Sequence, residues 1–180
     1  YVHTKDVEFA KKAEEALSST IERVELMKNY ASTETEKNIV NSINKGVSQY
    51  RENIKYNVKY ISTIADLISK ASDLGNEMKQ ELSSAHISET SQVAYHFNQC
   101  RFYLTGYIAY SDAKYVKLGK ESLQKAGEYA EESRFTGGQN VVKKYQELIA
   151  VLEETVQKQA DLDEIMVPLG VSITAEFDKL

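Results

Sequence analysis

Between Val47 and Leu82 the apolar residues Val47, Ile54, Val58, Ile61, Ala65, Ile68, Gly75, Met78 and Leu82 fall at spacings of three, four and seven, with no proline among them. That period puts them on one side of an α-helix and does not fit the two-residue period of a strand. At about 1.5 Å per residue the stretch is a rod of roughly 50 Å. The same period runs through Ala10, Ala13, Leu17, Ile21, Val24, Met27 and Ala31 near the start of the chain. It returns at Ala94, Phe97, Leu104 and Ile108, and again at Val142, Ile149, Leu152, Val156, Met166, Gly170, Ile173 and Phe177. One proline and eight glycines in 180 residues are too little punctuation for an all-β fold. The expected fold class is all-α, an elongated antiparallel helical bundle.

The breaks between stripes are polar. Asn29 to Thr35 separates the first two helices, and Ser32 to Glu36 holds N-cap candidates. Asn41 to Gly46 is a weaker turn signal that also reads as helix interior. Ser83 to Glu89 offers Ser84 or Ser88 as a cap, and Ser111 or Asp112 caps a helix reaching about Ser133. Gly137-Gly138 is the clearest turn, followed by a last helix from about Gln139 to Leu180. Pro168 lies inside that helix and is expected to kink it, because it removes a backbone donor and crowds the preceding turn.

Composition narrows the function. Twenty-seven acidic residues against 22 basic ones, without a basic cluster, do not suit a nucleic-acid binder. The lone Cys100 excludes an internal disulfide framework and a Cys-based zinc site. There is no Glu-x-x-His, no glycine-rich phosphate loop and no Gly-x-Ser-x-Gly elbow, so neither an enzyme nor a cofactor or metal is expected. No run of 18 apolar residues is present, so no segment reads as membrane-spanning. The chain begins at Tyr1 without a signal pattern and stops at Phe177-Asp178-Lys179-Leu180 within an apolar period. Both ends therefore read as cut from something longer.

The chain also resembles itself. Shifted by 95 positions, Tyr50–Leu82 lies on Tyr145–Phe177 without a gap. Tyr50 meets Tyr145, Glu52 meets Glu147, Ile54 meets Ile149, Ala65-Asp66-Leu67 meets Ala160-Asp161-Leu162, and Leu74-Gly75 meets Leu169-Gly170. A weaker echo at an offset of 78 sets Arg23, Leu26 and Ala31 on Arg101, Leu104 and Ala109. The second copy thus carries 95 − 78 = 17 extra residues, about one short helix. The whole chain, residues 1–180, is read as one domain duplicated internally, with copies at about 1–86 and 87–180. One copy cannot bury its stripe alone, and two packed antiparallel give four-helix cross-sections.

Arginine is scarce, four against eighteen lysines, so its positions carry information. Arg101 falls where the stripe wants an apolar residue, and a guanidinium there needs a partner that a carboxylate ligand supplies bidentately. An internal ion pair or snorkelling to an edge would satisfy it equally well. Arg23 beside its stripe and Arg51 next to Tyr50 are further candidates, and Arg134 reads as surface. Asn98 and Thr105 lie one turn either side of Arg101 and supply polar contacts to a carboxylate. Tyr95, Tyr103, Tyr107 and Tyr110 cluster around Arg101, and Tyr50 and Tyr145 occupy equivalent places in the two copies. Tyrosine gives a pocket an apolar wall and a hydroxyl, although it also fills bundle layers. Cys100 reads as a small buried hydrophobe, and His86 and His96 have no ligand partners.

Two copies of an Arg-bearing helix, a break with the start Ser111-Asp112-Ala113-Lys114-Tyr115-Val116, and a long Tyr…Leu-Gly helix resemble the helical bimodular sensor family. Its members are extracytoplasmic ligand-binding domains of bacterial chemoreceptors of the methyl-accepting type and of some sensor histidine kinases. The resemblance spans about residues 15 to 180 and is best from Arg101 onward. It implies two stacked four-helix-bundle modules sharing long helices, flanking transmembrane helices, a periplasmic location and small organic acids as ligands. The chain departs from the pattern in the missing stretch of its first copy, which leaves a single long four-helix bundle as the alternative. A homodimer is expected, since a seam between copies would couple occupancy to helix position. A purely structural or partner-binding bundle without a small ligand is the other class of function compatible with the pattern.

Overall fold

The computed structural model describes residues 2–88 and 91–180, with side chains described from residue 11 onward. The described residues form α1 (Val2–Met27), α2 (Glu34–Ser84), α3 (Gln92–Tyr110), α4 (Ala113–Glu132) and α5 (Thr136–Phe177), with no strand among them. The all-α expectation holds. Ala10 of the first stripe and His3 fall outside the described side chains.

The chain divides into two compact units, one of Tyr1–Thr63 with Lys158–Leu180, the other of Ile64–Gln157. They cut across the sequence copies, because α2 and α5 each give one stretch to each unit. The Ile64–Gln157 unit has four helical segments: the end of α2, all of α3 and α4, and the start of α5. Its core is one continuous cluster that includes Met78, Leu82, Phe97, Leu123, Tyr145 and Ile149. Each such side chain contributes about 1.5–3 kcal/mol by leaving water. Surface ion pairs add little: Lys120 with Glu153 and Lys144 with Glu77 are solvent-exposed pairs, worth about 0–1 kcal/mol each.

The other unit has three helical segments, α1, α2 through Thr63 and α5 from Lys158, where four were expected. The first copy lacks the stretch that becomes α4 in the second, so α1 turns at Lys28–Thr33 straight into α2. Its core is correspondingly small. Val24, Val40, Ile43 and Val47 form one cluster with Ile173 and Phe177 against it. Ile54, Leu162 and Met166 form another, bordered by Tyr50 and Val58.

Capping explains most boundaries. Thr33 and Glu36 make a reciprocal capping box: the Glu36 amide donates to Thr33 Oγ1 at 3.1 Å, and Glu36 Oε2 accepts from the Thr33 amide at 3.0 Å. Asp112 caps α4, its carboxylate accepting from the Lys114 amide at 2.8 Å. The cap of α3 is Ser91, not Ser84 or Ser88, since Ser84 ends α2 and the Ser91 hydroxyl accepts from the Ala94 amide.

Of the two readings open for Asn41–Gly46, helix interior is the one found, within α2. The Gly-Gly turn is overturned. Gly137 and Gly138 belong to the first turn of α5, and the chain reverses before them, at Arg134 (φ 54°). There the Phe135 amide donates to the Ala130 carbonyl at 2.7 Å and the Arg134 amide to the Glu131 carbonyl at 2.9 Å, a Schellman ending with arginine in the left-handed position. Gly138 answers to crowding instead, since a Cβ there would run into the buried Phe135 ring, whereas one on Gly137 would meet only the mobile carboxylate end of Glu81. α2 ends the same way at His86 (φ 55°), with the Ile87 amide donating to the Leu82 carbonyl at 2.8 Å. α5 continues through Pro168 as one helix to Phe177.

Candidate functional site

The Ile64–Gln157 unit contains a cleft of about 270 Å³ whose walls come from α2, α3 and α5. Eight of its twelve lining residues are apolar, among them Leu67, Leu104, Leu148 and Leu152. The four polar ones are Ser72, Arg101, Thr105 and Tyr145. Three of the sequence candidates, Arg101, Thr105 and Tyr145, are therefore gathered in one place.

Helix geometry fixes each of them. On α3 the buried line runs Phe97, Cys100, Leu104, Tyr107, so Cys100 takes the core position once expected of Arg101. Arg101 sits one position round the helix, half-buried at the edge of that line. Its guanidinium rests on Gly75 of α2, where a Cβ would fall 2.7 Å from Arg101 Cζ. Here the glycine is needed for the close approach of a planar cation to the helix backbone. Arg101 is near enough to the Tyr145 hydroxyl to act on it electrostatically, and no carboxylate pairs with it among the described residues.

Tyr145 is 1% exposed and its ring meets Phe97 edge-on, with centroids 5.0 Å apart. Burial pushes its hydroxyl well above the ordinary phenol range, and Arg101 offsets part of that rise. The phenol stays protonated and is a donor at neutral pH. The Thr105 hydroxyl donates to the Arg101 carbonyl one turn back at 3.0 Å, which leaves its oxygen lone pairs toward the cleft rim. Cys100 is fully buried, and burial pushes its thiol up to about 12, so it is no nucleophile.

The remaining candidates lie elsewhere. Asn98 is exposed on α3 and does not line the cleft. Arg23, Tyr50 and Arg51 belong to the other unit. Arg23 is exposed there, and Arg51 is half-buried with its Nε lacking a partner. Tyr50 packs on Gly170, whose Cβ would lie 3.5 Å from its ring, at the edge of a shallow groove with Met166 and Val171. Tyr50 with Gly170 and Tyr145 with Gly75 are matched positions of the sequence repeat, but an arginine lines the cleft at Tyr145 and none lines the groove at Tyr50.

The tyrosine cluster around Arg101 does not form the cleft either. Tyr107 is buried and donates to the Glu153 carbonyl at 3.4 Å, while Tyr95 and Tyr110 are largely exposed. Phe102 lines the cleft in their place. The sequence reading missed Ser72, Leu67, Ala71 and Leu148; the signal was the apolar α2 stripe, whose buried line runs Ile61, Ile64, Leu67 rather than through Ala65. Among the described residues no group of His, Cys, Asp and Glu could hold a metal, and no helix is long and apolar enough to cross a membrane. His96 is stacked on Tyr129 at 5.5 Å and His86 serves as the α2 cap. Compared with known proteins, the chain matches no family model and no curated protein.

Proposed function

We propose that the chain is the ligand-sensing domain of a bacterial transmembrane receptor of the methyl-accepting chemotaxis type, and that it binds a small organic-acid-like anion between helices. The observation that carries this is Arg101: a half-buried guanidinium in an apolar cleft, beside the buried Tyr145 and lacking a carboxylate counter-ion among the described residues. A cation held away from water without an opposite charge is costly, and a carboxylate that accepts its fork removes that cost. The resemblance to helical bimodular sensors supports the same reading, with the domain extracytoplasmic, flanked by transmembrane helices in the parent protein, and homodimeric.

Signalling follows from where the walls are. A ligand that holds α3 to α2 and α5 favours one spacing of those helices, and helix displacements of about 1–2 Å suffice as a signal. The effect is a shift of population toward the spacing the ligand prefers. This is binding rather than catalysis: Arg101 and Tyr145 position an anion, and neither Cys100 nor any neighbour attacks it.

Thermal-shift screening against organic acids, amino acids and inorganic anions tests the proposal. An anion that raises the unfolding temperature of the wild type and leaves Arg101→Ala unmoved is the expected result. If no anion stabilises the wild type, the sensor reading fails and a structural or partner-binding bundle takes its place.

A further inference from the structure

Resting on the reading of the cleft as an anion site, we infer that the Arg101 cleft selects a monocarboxylate with a compact apolar tail, aromatic or branched aliphatic, over dicarboxylates and amino acids. The lining carries one cation and no carboxylate. One carboxylate satisfies Arg101 and takes a second hydrogen bond from the Tyr145 hydroxyl. A second carboxylate finds no cation along the walls and must be desolvated without a counter-charge. An amino acid brings an ammonium, and no acidic side chain lines the cleft to receive it. Ser72 and Thr105 are the only other polar side chains, and the Thr105 hydroxyl proton is already committed to the Arg101 carbonyl.

The tail is specified by the rest of the wall. Leu67, Ala71, Phe102, Ile108, Leu148 and Leu152 offer only carbon, so a hydroxylated tail leaves its polar groups unpaired against them. At about 30 Å³ per heavy atom, taken from the share of one water in the liquid, the 270 Å³ cleft accepts a ligand of about nine heavy atoms. Benzoate, phenylacetate and 4-methylpentanoate are of that size and shape. Neutral isosteres such as benzamide fill the same space but leave Arg101 without an anion. Rejection through an unpaired polar group is stronger than rejection through a missing methylene, so charge and not fit separates these classes.

Calorimetric titration of the intact chain tests this with benzoate, phenylacetate and 4-methylpentanoate against succinate, citrate, phenylalanine and benzamide. The monocarboxylates are expected to bind at least tenfold more tightly than the other four, and Arg101→Gln to lose that binding. Ser72→Arg, which adds a second cation to the wall, is expected to raise succinate affinity and narrow the gap. Tighter binding of succinate, citrate or phenylalanine than of all three monocarboxylates overturns the selectivity while leaving an anion site standing. Binding of none of the carboxylates, or equal binding of benzoate and benzamide that survives Arg101→Gln, overturns the selectivity and the anion site together.

Discussion

The Arg101 guanidinium lies on the bare backbone of Gly75, close enough that one added carbon would displace it. Gly75→Ala therefore separates stability from binding. Alanine in a helix interior is favoured over glycine by about 0.8–1.0 kcal/mol, and the atoms in its way are the mobile end of a side chain. Thermal unfolding is expected to hold or rise. Anion affinity is expected to fall about tenfold or more, because the Arg101 guanidinium is pushed from its place in the cleft. Paired melting and calorimetric measurements check both; equal loss of stability and binding would count against the arrangement.

His86 and Arg134 end α2 and α4 in the left-handed region with side chains that disfavour it. That conformation costs a non-glycine residue about 1–2 kcal/mol. His86→Gly and Arg134→Gly are each expected to stabilise the protein by about 1 kcal/mol, or about 2–4 °C in unfolding temperature. Calorimetry of each variant checks the gain.

Gly138 and Gly127 make a matched pair of tests. A Cβ on Gly138 meets the buried Phe135 ring at 2.3 Å, and alanine there is expected to destabilise by about 1–3 kcal/mol through overpacking. On Gly127 of α4 the nearest atom is Val142 Cγ1 at 3.4 Å, an ordinary contact. Gly127→Ala should stabilise by up to about 1 kcal/mol. Denaturant midpoints of the two variants are expected to move in opposite directions.

The capping box at Glu36 gives a pH signature. Hydrogen bonds from the Thr33 amide, the Ser32 hydroxyl and the Ser32 amide hold its carboxyl at about 2, below the ordinary 4.5. The folded value is the lower one, so the contribution is complete above pH 4.5 and fades as the pH falls from there through about 2. Hydrogen exchange at the first amides of α2 should accelerate across that window. Glu36→Gln should flatten the change.

Much of this was readable beforehand. Leu17, Ile21 and Val24, and Ile149, Leu152 and Val156, lie against their cores where a 3.6-residue period puts them. Arg101 and Thr105 were legible one turn apart on α3, and the fold, not the sequence, sets Tyr145 of α5 in the same cleft. Three things were not. A period cannot tell Cys100 from Arg101 as the core residue, since they are adjacent on the helix and only the facing helix decides. Gly137-Gly138 looks like a turn because sequence shows a missing side chain but not whether it serves φ or, as at Gly138, close packing. Arg23 repeats Arg101 in sequence, yet a three-segment unit gives it no fourth wall and it faces solvent.

Every residue around the cleft sits within α2, α3 or α5, and none comes from a turn. The cleft has a mouth rather than a door: Phe102, 72% exposed, and Thr105 stand at the surface. A molecule enters and leaves without any segment swinging aside, and what retains it is simultaneous contact with three helices. A substitution that alters how those helices pack far from Arg101 would then be felt as a change in how firmly the cleft holds its occupant.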